Sequence, residues 1–190
     1  MTLDAEWAVR RRAIERGRYW IGPNGPRARW HKAITGKFLP LAGLGLWLIG
    51  LYGRGRRNAL DIRRVEMDIV VPGLPNAFDG YRILHVSDTH LDALPELVEP
   101  ARRLLADVEV DLLVVTGDVH GHLPAPVSRS VELLAEALRD VRVRGARMAV
   151  LGNHDAVEML AALADKGFDV DQPVPRAGAR RRAAAHHRPR

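Results

Sequence analysis

From residue 64 onward the apolar positions fall into short runs with two different periods. Residues 65–71 (VEMDIVV) alternate apolar and polar side chains, which predicts a strand. Residues 72–75 (PGLP) predict a turn, and residues 81–87 (YRILHVS) a second strand. Residues 94–108 have helical spacing, with Leu97, Ala101, Leu104 and Leu105 on one face. Residues 111–116 (DLLVVT) form a continuous apolar run stopped by Gly117, the pattern of a strand covered on both faces. An amphipathic helix follows over 127–143, turning Val131, Leu134, Leu138 and Val141 inward. Residues 146–151 (ARMAVL) predict a further buried strand that ends at Gly152. Residues 156–166 predict a helix closed by Gly167, and residues 168–170 start another strand. The order β-β-α-β-α-β-α-(β) implies an α/β fold with a largely parallel sheet and right-handed crossovers. In such sheets ligands bind beyond the carboxyl ends of the strands.

The first 64 residues follow another pattern. An uncharged run from Phe38 to Gly53 (FLPLAGLGLWLIGLYG) is bracketed by Lys37 and Arg54. As one helix it would extend about 24 Å, short of the ~30 Å hydrocarbon core of a bilayer. Flanking cations can snorkel, and Trp30, Trp47 and Tyr52 suit a membrane interface. The run is therefore expected to be a membrane-directed helix, a single transmembrane or signal anchor. An export signal and a soluble core helix are the competing readings. Both flanks are basic, so the orientation is not legible. Upstream, Leu3, Trp7 and Ile14 could share one face of a surface-lying helix, or belong to a disordered basic arm.

Charge sharpens this division. Residues 1–64 carry 14 Lys/Arg against 4 Asp/Glu, residues 65–170 carry 9 against 18, and residues 171–190 carry 6 against 1. The sequence pI of about 10.4 thus describes the two ends and not the acidic middle, so nucleic acid is not an expected partner. There are no cysteines, which excludes disulfides and thiolate metal sites. A metal would need His, Asp, Asn or Glu ligands, the donors that suit Mn, Fe, Zn or Mg.

Three predicted strands end in polar clusters. These are Ser87-Asp88-Thr89-His90, Thr116-Gly117-Asp118 and Gly152-Asn153-His154-Asp155. Each alone is the kind of turn or helix cap that many proteins carry. Together, in this order at strand ends, they put oxygen and imidazole donors into one crevice.

The three motifs, D-x-H, G-D and G-N-H-D, resemble the calcineurin-like metallophosphoesterases. The apolar N-terminal segment and the stretch from Gly73 to Ile83 are similar to a membrane-anchored bacterial branch of that family, with the likeness running over about residues 60–170. The resemblance implies two divalent metal ions. Asp88 and His90 would bind the first, Asp118 would bridge both, and Asn153 would bind the second. His154 would sit over the phosphate and Asp155 would orient it. A carboxylate between two cations ~3.5–4 Å apart offsets their repulsion, and a bridging hydroxide would attack phosphorus in line. The implied activity is hydrolysis of a phosphodiester, phosphomonoester or pyrophosphate bond. Lipid-linked substrates such as UDP-2,3-diacylglucosamine fall within the branch, which also implies a cell-membrane location.

The family's later lone His and G-H-x-H are not found in this sequence. Residues 171–190 are rich in Arg, Ala, Pro and His and lack helical or strand period. They are expected to be a disordered basic tail and a non-native ending, such as a frameshift makes; the other two reading frames past codon 171 test this. The expected organisation is a basic arm over 1–37, an apolar helix over 38–53, a linker over 54–63, a partial metallophosphoesterase domain over 64–170, and the tail. The alternative to an active enzyme is a truncated, inactive fragment that binds metal weakly. His120 and His122 are expected to be solvated loop residues, His85 a satisfied strand histidine, and His186 and His187 not ligands.

Overall fold

The computed structural model describes residues 5–17, 38–121 and 126–170. Its helices are α1 (Ala5–Gly17), α2 (Leu39–Leu48), α3 (Leu51–Leu60), α4 (Val98–Leu105), α5 (Val127–Ala137) and α6 (Met159–Asp165). Its strands are β1 (Ile83–Val86), β2 (Glu109–Val115) and β3 (Arg142–Ala149). The strands form one parallel sheet in the order β1-β2-β3. The α/β class and the parallel sheet are those expected from the alternation of runs.

Register explains how the sheet makes a core. Leu84 and Val86 lie beside Leu113 and Val115, and Val115 lies beside Ala149. Residues two apart in a strand share a face. Leu113 and Val115 are fully buried with Val131 and Leu134 of α5 and Met159, Leu160 and Leu163 of α6. The alternate residues Leu112 and Val114 are only half-buried. Their register neighbours on that face, Ile83 and Met148, are exposed, Ile83 to 57%. The expectation that β2 is covered on both faces therefore holds for one face among the described residues.

Boundaries move where backbone chemistry overrides periodicity. The helix expected from residue 94 begins at Val98, after a 3-10 turn at Pro95–Leu97. Pro100 then falls in the first turn, where its missing N–H removes no helical bond. The helix expected to reach 143 ends at Ala137, and β3 starts at Arg142. Residues 168–170 do begin a further parallel pairing, with a bridge between Met148 and Asp169. The strand expected over 65–71 is not formed; Val70 is 89% exposed. Its alternation is real, but β1 is the edge of the sheet and no described residue pairs outside it. Alternating side chains stabilise a strand only through a partner and a face to bury.

The apolar run 38–53 also departs from expectation. Gly50 adopts a left-handed conformation (φ 75°), and its N–H bonds the Trp47 carbonyl, which ends α2 after ten residues. Those ten residues span about 15 Å. The chain then enters α3, which carries Arg54, Arg56 and Arg57. Among the described residues no helix is long and apolar enough to cross a membrane; the run expected as one helix over 38–53 is divided between α2 and α3 at Gly50. In the basic arm α1 is helical, as one of the two readings had it, and its Trp7 and Ala8 pack against the core. Leu3, His122, His186 and His187 lie outside the described residues.

Candidate metal centre

The carboxyl ends of the three strands converge, and backbone hydrogen bonds lace the loops that leave them. The Asp88 N–H donates to the Gly117 carbonyl (3.0 Å) and the His90 N–H to the Asp118 carbonyl (3.2 Å). The His154 N–H donates to Asp118 Oδ1 (2.8 Å). Gly117, with φ 93°, lies against the backbone of Gly152, and Gly152 lies against Asp118. A Cβ at either glycine would overlap main-chain atoms of the other loop. Glycine is thus required for the β2 and β3 loops to approach this closely.

Asp88, His90 and Asp118 form a group whose ligand atoms all lie within 4.8 Å of one another. Metal bonds of about 2.0–2.2 Å place ligand atoms at most ~4.4 Å apart, so the group needs at most a small closure to hold one ion. The donor set of two carboxylates and an imidazole suits Mn, Fe or Zn. Backbone geometry singles out the same residues. Asp88 (φ 53°), His90 (φ 39°) and Asp118 (φ 50°) are the non-glycine residues with positive φ among those described. Each such conformation costs about 1–2 kcal/mol, and strain of this kind collects at functional sites.

The surroundings tune the donors. His90 Nδ1–H donates to the His120 carbonyl (2.9 Å). That bond leaves the Nε2 lone pair for a metal. One oxygen of Asp118 is engaged by the His154 N–H, and the other has no hydrogen-bond partner among the described residues, leaving it for a cation. The Ser87 hydroxyl donates to Asp88 Oδ2. The Thr89 hydroxyl, between Asp88 and His90 in sequence, is buried without a hydrogen-bond partner among the described residues.

The remaining expected site residues lie on the loop after β3. Asn153 is exposed there. His154 is exposed, and its ring meets that of His90 edge-on, with centroids 5.2 Å apart. Asp155 is 2% exposed. Its Oδ1 accepts the Val119 and His120 N–H groups and its Oδ2 the Gly152 N–H, each at 2.9 Å. Asp155 is expected to orient His154; its carboxylate oxygens bond backbone N–H groups and tie the β2 loop to the β3 loop.

His120 corrects another expectation. It is buried, with Nδ1 2.8 Å from Ser130 Oγ and 3.4 Å from Asp92 Oδ2. Asp92 also accepts the Gly121 N–H at 2.7 Å. The apolar pattern of α5 pointed to Val131 and Leu134 but gave no sign that Ser130 beside them receives a histidine. His85 is satisfied as expected, by Thr116 Oγ1 at 2.7 Å.

Comparison with protein families matches residues 81–186 to the calcineurin-like phosphoesterase domain. No match was found among curated proteins or among solved structures. The matched stretch covers more than half of the chain and contains all three strand-end motifs. Family match and geometry agree on a hydrolase class that acts on phosphoric esters, with an Asp/His/Asp group suited to a divalent metal. The chain belongs to the calcineurin-like phosphoesterase family.

Proposed function

We propose that the chain is a metal-dependent phosphoesterase that uses two divalent cations. The observation that carries this reading is the coincidence of the Asp88, His90 and Asp118 group with the three strained backbone positions. Asp88 and His90 would hold one ion, Asn153 the other, with Asp118 shared between them. When bound, the cations supply Lewis acidity, polarising a phosphoryl oxygen and acidifying water. The chain's own contribution is positional. Asp118 Oδ1 fixes the loop by accepting the His154 N–H, while its other oxygen has no partner among the described residues. The exposed His154 imidazole is placed beside His90, where it would hold a proton at a phosphate oxygen or deliver it to the leaving oxygen.

The substrate in this reading is a phosphodiester, phosphomonoester or pyrophosphate, including lipid-linked forms presented at a cell membrane. Support for the lipid part comes from α2, whose leucines and Trp47 are exposed, followed by three arginines in α3. An apolar segment beside cations favours an interfacial position on anionic lipid.

Mn²⁺-dependent hydrolysis of bis-p-nitrophenyl phosphate by the 190-residue chain tests the proposal. Turnover is expected, and His154→Ala should lower kcat about 100-fold. The same assay on a pyrophosphate lipid in anionic vesicles should exceed that on its water-soluble headgroup analogue; equal rates would remove the lipid part. Metal binding without turnover on any of these substrates would favour the alternative, an inactive member that binds metal weakly.

A further inference from the structure

Helix α1 reaches the β3 loop from more than 140 residues away in sequence. Arg11 Nη2 donates to the Gly152 carbonyl and to the Asp155 carbonyl, the latter at 2.9 Å. Arg11 Nε donates to Glu15 Oε1 at 3.1 Å, and the same oxygen accepts the Val157 N–H at 3.1 Å. Both side chains are largely buried, at 18% and 15% exposure. Trp7 and Ala8, one turn earlier on the helix, pack against the core.

These contacts complete a clamp. The loop's amides are held from the sheet side, Gly152 by Asp155 and His154 by Asp118. Two of its carbonyls are held from the α1 side by one guanidinium. Between the two anchored carbonyls lie Asn153 and His154, whose side chains stay exposed. The segment 150–156 has no helix or strand of its own, so its conformation depends on such external bonds. Guanidinium suits the task because its donors form a rigid planar fork that reaches two carbonyls and a carboxylate together. A lysine ammonium is a point donor on a flexible stem.

We propose that Arg11, braced by Glu15, is a positioning residue of the metal centre, and that α1 thereby belongs to the site. The inference rests on the proposed function only in that Asn153 and His154 act there. It says that the basic arm orders the loop bearing those two side chains from behind, with no contact to metal or substrate.

The test compares the full chain with its Arg11→Met, Arg11→Lys, Glu15→Gln and Arg12→Met variants. Two quantities are read: amide hydrogen exchange, and Mn²⁺ affinity by calorimetry. Arg12 is the control, since its contact to Glu158 is a solvent-exposed pair at 3.7 Å that contributes little. Arg11→Met should speed exchange over residues 152–157 about tenfold while β2 exchange stays unchanged, and should weaken Mn²⁺ binding about tenfold. Arg11→Lys should recover only part of both effects, and Arg12→Met should match wild type. Glu15→Gln should loosen the same segment by a smaller factor, and it supplies the answer if Arg11→Met does not fold. Exchange over 152–157 within twofold of wild type in both the Arg11→Met and Glu15→Gln chains would overturn the proposal. So would equal loss of protection in β2, which marks a merely structural helix, or an Arg12→Met effect as large as that of Arg11→Met. A wild-type chain that binds no Mn²⁺ would count against the metal reading, while exchange at the loop still decides the clamp.

Discussion

Asp118→Asn is expected to remove Mn²⁺ binding and phosphoester hydrolysis together while leaving the fold intact. Asparagine tolerates the positive φ of residue 118 better than most residues. Its amide oxygen can keep the bond from the His154 N–H. The amide nitrogen would then replace the oxygen that is not engaged by His154. A donor would stand where a cation needs an anionic ligand, and one of the two carboxylates of the group would be lost. Ligand-supporting changes outside the coordination sphere already cost ~10–100-fold in metal affinity. Loss of a ligand should therefore weaken Mn²⁺ binding by about 100-fold or more, with hydrolysis falling at least in proportion. Calorimetric titration with Mn²⁺ and the bis-p-nitrophenyl phosphate assay read the two quantities, and a thermal melt verifies that the fold survives. Near-wild-type affinity in Asp118→Asn would mean that the ion sits elsewhere.

The largest stability effect is expected from Asp155→Ala. The carboxylate is buried and accepts three backbone N–H groups, from Val119, His120 and Gly152. Removing it orphans three donors in a region too close-packed for easy solvation. Each buried donor left unpaired costs about 1–3 kcal/mol, so the sum of ~3–9 kcal/mol rivals the total stability of a typical domain, ~5–15 kcal/mol. Asp155→Ala should therefore be unfolded, or melt far below wild type. Asp155→Asn should be milder, because its one remaining carbonyl oxygen can still accept the Val119 and His120 amides and only the Gly152 N–H loses its acceptor, at about 1–3 kcal/mol. Urea denaturation followed by circular dichroism separates the three proteins. A loss of under about 1 kcal/mol in Asp155→Ala would show that the loops are held together by other contacts.

Much of the layout was legible because strand interiors and strand ends carry opposite signals. The apolar runs that became β2 and β3 stop at Gly117 and Gly152, and the polar residues after them project from one edge of the sheet. That is why the sequence alone brings Asp88, His90 and Asp118 to one crevice. Other features depend on what lies across space. The alternation over 65–71 promised a strand, but a strand needs a partner, and β1 has none beyond it among the described residues. The run 38–53 looked continuous because hydropathy does not register that Gly50 turns left-handed and ends α2. His120 looked solvated because a loop position close to Asp118 says nothing about Ser130 and Asp92 folding over it. The resemblance pairs Asp155 with His154, but family likeness alone does not show that its carboxylate also crosses to the neighbouring loop. The Arg11 contacts have no local signal at all, since one arginine among many gives no hint of which carbonyls it will meet.

The most direct measurement is the anomalous scattering of manganese in crystals of the chain grown or soaked with Mn²⁺. A peak is expected among Asp88, His90 and Asp118, with ligand bonds of about 2.0–2.2 Å and His90 binding through Nε2. A manganese peak at any other place, with those three side chains left uncoordinated at saturating Mn²⁺, would contradict it.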